Sequence, residues 1–175
     1  MSNSFDLPAV QRITVGTIGP VGKRTFYLQA RQDDQLVTLK LEKQQVGALA
    51  DHLQAALADL PATGAAPPDE GALELEEPVL AEWAVGTMRI DYDRDADLVV
   101  LVAEEISVAG DEETDERREG GIARLGATRD QVAALAHRGA SLVEAGRPPC
   151  PLCGFPLDPQ GHSCPRTNGH KPPTL

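Results

Sequence analysis

RITVGTIGPVGKRTFYLQARQDDQLVTLKLEKQQVGALADHLQAALADL, residues 12–60, is the stretch that decides the fold. Residues 12–16 alternate with β-branched side chains and read as a strand. Gly19, Pro20 and Gly22 then turn the chain. Residues 24–31 read as a second strand, Asp33 and Asp34 as a turn, and residues 36–41 as a third strand. Val46, Leu49, Ala50, Leu53, Leu57 and Leu60 recur at helical spacing, so a helix follows over 45–60. The unit is βββα.

The second half repeats that order. Residues 83–92 and 98–103 read as strands with a polar turn between them, and 121–126 as a short third strand. Thr128 is a helix N-cap, and Val132, Leu135, Ala136, Leu142 and Val143 mark a helix ending near Gly146. The halves share words: Val15-Gly16-Thr17 with Val85-Gly86-Thr87, and QVGALA from Gln45 with QVAALA from Gln131. These features predict an α+β fold of two βββα pseudo-repeats that form one pseudo-dimeric domain, because one helix cannot cover a sheet face alone. The expected boundaries are 10–60 for the first unit and 83–146 for the second. A Pro/Ala and acidic linker fills 61–82, an acidic insert 104–120, and a tail 147–175. The helix faces with Val46, Leu49, Leu53 and Leu57, and with Val132, Leu135 and Leu142, are each expected to pack on their own sheet.

The chain has 175 residues and a formal charge of -11. Segments 69–82 and 104–120 each carry -6, so the remainder is +1. The imbalance belongs to those two segments, which are expected to be exposed and mobile. The overall charge disfavours a general nucleic-acid binder, whose affinity comes from clustered Lys and Arg, and an anionic membrane surface. No basic leader followed by an apolar run is seen, and no run nears 18 apolar residues, so a cytoplasmic location is the expectation.

Residues 147–175 read RPPCPLCGFPLDPQGHSCPRTNGHKPPTL and hold all three cysteines. The tail is too poor in apolar residues to fold by burial alone. Cys150-x-x-Cys153-Gly154 is the zinc-knuckle form: two thiolates bind one ion from a tight turn, and the glycine lets the backbone approach. His162 and Cys164 supply a second pair, giving three thiolates and one imidazole, with His170 as the other candidate for fourth ligand. Either set is closed, which makes the expected zinc structural, since catalytic zinc keeps an open position. A redox Cys-x-x-Cys usually opens a helix beside a βαβ pattern, which Pro149 and Pro151 in a Pro/Gly tail fit poorly.

Other features have plain readings. Residues 16–25, GTIGPVGKRT, miss the phosphate-loop spacing and lead into a strand, so they form a hairpin turn. Lys23, Arg24 and Arg31 read as strand-end charges. Asp91, Asp93, Asp95 and Asp97 lack the glycine and glutamate of a calcium loop and read as a solvated turn. His52 and His137 sit at comparable points of the two helices and read as surface residues. No nucleophile with its base stands out.

The words at 16–31, 41–46 and 146–169 resemble those of a largely actinobacterial family of hypothetical proteins, a domain of unknown function. The last word contains Cys150, Cys153, His162 and Cys164. The resemblance implies a bacterial cytoplasmic protein of about this length and supplies no activity. The leading expectation is a non-enzymatic interaction or regulatory protein with a protein partner and a structural zinc tail. One alternative is an enzyme, or an enzyme subunit, with a pocket between the halves near Gly16-Thr17 and Gly86-Thr87. Another is nucleic-acid binding through the tail, where Arg147, Arg166 and Lys171 outnumber Asp158.

Overall fold

A computed structural model describes residues 2–62, 64, 69–107, 120–146, 148–155, 157 and 162–166. The strands are β1 (Phe5–Leu7), β2 (Arg12–Ile18), β3 (Thr25–Gln32), β4 (Gln35–Leu41), β5 (Trp83–Asp93), β6 (Leu98–Glu105) and β7 (Ile122–Ala127). Among the described residues the helices are α1 (Lys43–Ala58) and α2 (Arg129–Glu144), and a 3-10 turn covers Glu70–Leu73. The chain is thus mixed α+β.

All seven strands form one sheet in the order β1-β7-β6-β5-β4-β3-β2. Alternation drives it: Ile13, Val15, Leu28, Ala30, Val37 and Leu39 are buried while their strand neighbours face the other way. Antiparallel meanders β2-β3-β4 and β5-β6-β7 are joined by a short parallel contact, Leu39 with Trp83 and Lys40 with Ala84.

The two outermost strands, β1 and β2, are almost consecutive in the chain. Leu7 and Arg12 can lie at most about 18 Å apart, whereas seven flat strands would span about 29 Å. The sheet must therefore curl until its edges meet on one segment. That segment pairs with β7 in parallel over Phe5–Leu7. Val10 then donates its N–H to the Gly126 carbonyl at 2.8 Å, and Gln11 donates to the carbonyl of Arg31 in β3, on the far side of the sheet, at 2.9 Å. The sequence expectation omitted β1, whose three residues, FDL, are too short to show a period.

The helices depart from the expectation that each would sit on its own sheet. They pack chiefly on each other, and α2 lies along β2 of the first half. Gly139 lies at this contact: a methyl there would meet Ala50 and Val46 of α1 at 3.4 and 3.5 Å, an ordinary packing distance. Arg138 also donates Nε to the Val15 carbonyl at 2.8 Å, which covers the edge of β2 that would otherwise stay open. Both helices and the buried sheet face share one core.

The shared word at each helix start has a common role. Gln45 Oε1 accepts the Glu42 N–H at 2.8 Å, and Gln131 Oε1 accepts the Thr128 N–H at 2.9 Å. These are reciprocal caps of a helix N-terminus. The amide nitrogens then reach across: Gln45 Nε2 donates to Val85 and Gly86 carbonyls, and Gln131 Nε2 to that of Val10.

The acidic segment 69–82 is not the free arm expected from its charge. Glu76 pairs with Arg12 at 3.2 Å and with Arg31 at 2.6 Å. Leu75 fills the space over Gly16, where a methyl would lie 2.4 Å from Leu75 Cγ. Of the second acidic segment, residues 108–119 lie outside the described residues. Its base is closed by the Glu105 N–H on the Gly121 carbonyl and the Gly121 N–H on Glu105 Oε2, at 2.8 and 2.9 Å. Deleting 107–118 is expected to leave the melting temperature within about 3 °C of the parent, since it only shortens a closed loop. A calorimetric scan checks this, and loss of the cooperative transition would contradict it.

Candidate metal centre

Residues 148–155, with Leu157, frame a hairpin too small to bury much apolar surface. The Leu157 N–H donates to the Pro148 carbonyl and the Cys150 N–H to that of Phe155, at 2.8 and 2.7 Å. Gly154 closes the turn with φ +76°, a left-handed conformation that suits glycine, and donates its N–H to the Cys150 carbonyl at 2.8 Å. The turn brings the Cys150 and Cys153 thiols to one side.

The chain returns with His162 and Cys164. Cys150 Sγ and Cys164 Sγ are 3.9 Å apart, and Cys153 Sγ lies 3.3 Å from His162 Nε2. All four donor atoms fall within 4.8 Å of one another. A tetrahedral zinc ion, with bonds near 2.3 Å to sulfur and 2.0 Å to nitrogen, separates its sulfurs by about 3.8 Å and sulfur from nitrogen by about 3.5 Å. The Cys150–Cys164 and Cys153–His162 separations are close to those values, and a ring nitrogen with three sulfurs is a donor set that zinc accepts. The four residues could therefore bind zinc.

Cys150 is 2 % exposed, Leu157 5 % and Cys164 7 %, and these three form a small core separate from the main one. Leu157 has a part in this core that the cysteine spacing did not reveal. Burial pushes the Cys150 thiol up. Backbone donors at Leu152 and Cys153 and the thiols of Cys153 and Cys164 outweigh it and hold Cys150 below the ordinary cysteine value. Burial raises Cys153, and the Cys164 and Cys150 thiols raise it further against the Phe155 backbone donor. His162 Nδ1 is buried with no partner among the described residues. With Nε2 toward the sulfurs, it is the nitrogen that would carry the proton in a metal-bound ring. His170, the other candidate ligand, lies outside the described residues, as do Arg147, Asp158 and Lys171.

The remaining sequence candidates are dispersed. Asp93 Oδ1 accepts N–H bonds from Asp95 and Ala96 at 3.0 Å, the arrangement of a polar turn. Asp97 binds the Tyr92 hydroxyl at 2.5 Å and Arg129 at 2.8 Å. Tyr92 first, then Arg129, hold its carboxyl below the usual range. His137 is exposed. His52 bonds the Ala48 carbonyl at 2.6 Å and lines a groove of about 450 Å³ between α1 and β5. Gln45, Leu49, Gly86, Met88 and Arg89 line it too. Gly86 thus reaches a groove between the halves, but Gly16 does not: Leu75 covers it. Among the described residues, no helix is long and apolar enough to cross a membrane.

Comparison with curated proteins and with solved structures finds no match. A family model does match, over residues 5–164, a span that includes the four clustered ligands and stops before His170. The chain belongs to this family, DUF3090, described as a protein of unknown function.

Proposed function

We propose that this protein is a non-enzymatic interaction or regulatory protein of the bacterial cytoplasm, with a C-terminal tail held by a structural zinc ion on Cys150, Cys153, His162 and Cys164. The observation that carries it is the convergence of four donor atoms, three of them sulfur, within 4.8 Å. Four protein ligands close a zinc site, and closed sites stabilise structure. Three clustered thiols also suit a reducing compartment. The body would be two copies of one βββα unit, 10–60 and 83–146, joined by 61–82. The matching work of Gln45 and Gln131 supports this. Affinity purification from the native host, with wild type and Cys153→Ser, tests the whole reading. A partner recovered with wild type and reduced by Cys153→Ser supports it, and no partner at native expression contradicts it.

A second reading has one observation in its favour. The groove of about 450 Å³ between α1 and β5 has the size of a small-ligand site, which suits an enzyme or an enzyme subunit. Its lining offers His52 and Arg89, yet no nucleophile stands beside a base there. A metabolite screen by thermal shift separates the readings: a saturable ligand lost in His52→Ala favours the enzyme.

A further inference from the structure

The outer face of β2, β3 and β4 is patterned for water. In register across the strands it presents Arg12 beside Arg31, Thr14 beside Gln29 beside Thr38, and Gly16 beside Tyr27 beside Lys40. Yet Thr14, Gln29 and Thr38 are 0 %, 1 % and 2 % exposed, because residues 72–76 lie over them.

The contacts read an extended backbone and one carboxylate. Gln29 clamps Glu76 from both sides: Oε1 accepts the Glu76 N–H at 2.7 Å, and Nε2 donates to its carbonyl at 3.0 Å. Thr14 Oγ1 donates to the Leu73 carbonyl at 2.5 Å. Arg12 donates Nε to the Ala72 carbonyl at 2.9 Å and also reaches that of Glu74. Arg12 and Arg31, like charges directly opposite, are an unfavourable pair without an anion between them. The Glu76 carboxylate supplies it. Leu75 fills the pit over Gly16.

Lifting the segment off would expose mostly polar groups, which water satisfies at little cost. The apolar part is small: Leu75 over Gly16 and the half-buried Leu73. We propose that this face is a recognition surface for an extended acidic peptide carrying a Leu-Glu pair, and that residues 72–76 are its resident, displaceable occupant. The Gly16 pit selects the leucine, the arginine pair selects the glutamate, and Gln29 selects extended backbone. The resident segment is tethered, so it competes at an effective concentration on the order of millimolar. A protein partner must therefore offer the same pair plus further contacts. This inference gives the interaction reading a partner class and rests on it. It involves no zinc ligand, so its failure leaves the metal tests standing.

The probe is a synthetic peptide of residues 70–78, EGALELEEP, titrated to millimolar against the full chain and followed by amide NMR. In the Leu75→Ala/Glu76→Gln chain the peptide is expected to shift the Gln29 side-chain amide saturably. Wild type should bind roughly tenfold or more weakly, and a peptide with glutamine for the Glu76 position should lose a similar factor. Adding Arg31→Gln to the opened chain should lose it as well. A folded opened chain without saturable binding, or with equal binding of both peptides, overturns the proposal. Hydrogen exchange on wild type decides if the variant does not fold. The Glu76 amide should exchange through local opening, far faster than Leu28. Equal protection of the two amides overturns displaceability.

Discussion

Cys150→Ser is expected to reduce bound zinc from one ion per chain to near zero and to release the tail from about residue 148 onward, while the body melts as before. A serine hydroxyl cannot replace a thiolate for zinc, and folding of so small a hairpin is coupled to the metal. The tail core of Cys150, Leu157 and Cys164 is too small to persist alone. The main core, from Leu7 to Ala136, includes no residue of it. Limited proteolysis should therefore cut the variant in the tail and leave the body intact. Metal analysis on the same sample shows whether the cut follows zinc loss. A tail that stays protected without metal would contradict the coupling.

Gly126→Ala should cost the body about 3 kcal/mol or more, because overpacking here meets backbone. The added methyl would lie 2.1 Å from the Pro8 carbonyl oxygen and 2.8 Å from its carbon. Neither atom can swing aside as a side chain would. Relief requires moving residues 8–10 away from β7, which breaks the Val10 to Gly126 hydrogen bond that helps join the sheet's edges. The melting temperature should fall by roughly 10 °C. Gly71→Ala is the control, since nothing lies within 4 Å of a methyl there, and it should stay within about 0.5 kcal/mol. Equal melting temperatures for the two variants would show that the edge junction contributes little.

The elements were legible where a side-chain period is long enough to show. Residues 12–41 alternate, and the two helices carry apolar residues three and four apart, so β2 to β4, α1 and α2 could be located from sequence. How the helices lie was not legible. The same apolar face of α2 fits any buried surface, and its packing on α1 and along β2 is decided by tertiary contacts between distant segments. The acidic run 69–82 reads locally as solvated charge. Its anchors, Arg12 and Arg31, lie 64 and 45 residues from Glu76 in the chain. No local pattern reports such a distance. The metal cluster was the most legible feature, because Cys-x-x-Cys-Gly is itself a local geometry. Spacing alone left His162 and His170 open, and the return of the chain that brings His162 Nε2 beside Cys153 is tertiary.

The charge that first marks the molecule as acidic also takes on a different sense. Half of it lies in a segment docked on an arginine pair, and most of the rest in residues 108–119 between two closed strand ends. The body they decorate is close to neutral.

Zinc content of the full chain, purified under reducing conditions without added metal or chelator, tests the metal tail most directly. The expected result is one zinc ion per chain, released when the three thiols are blocked. A chain that carries no zinc and takes none up when it is offered would contradict the structural-zinc assignment.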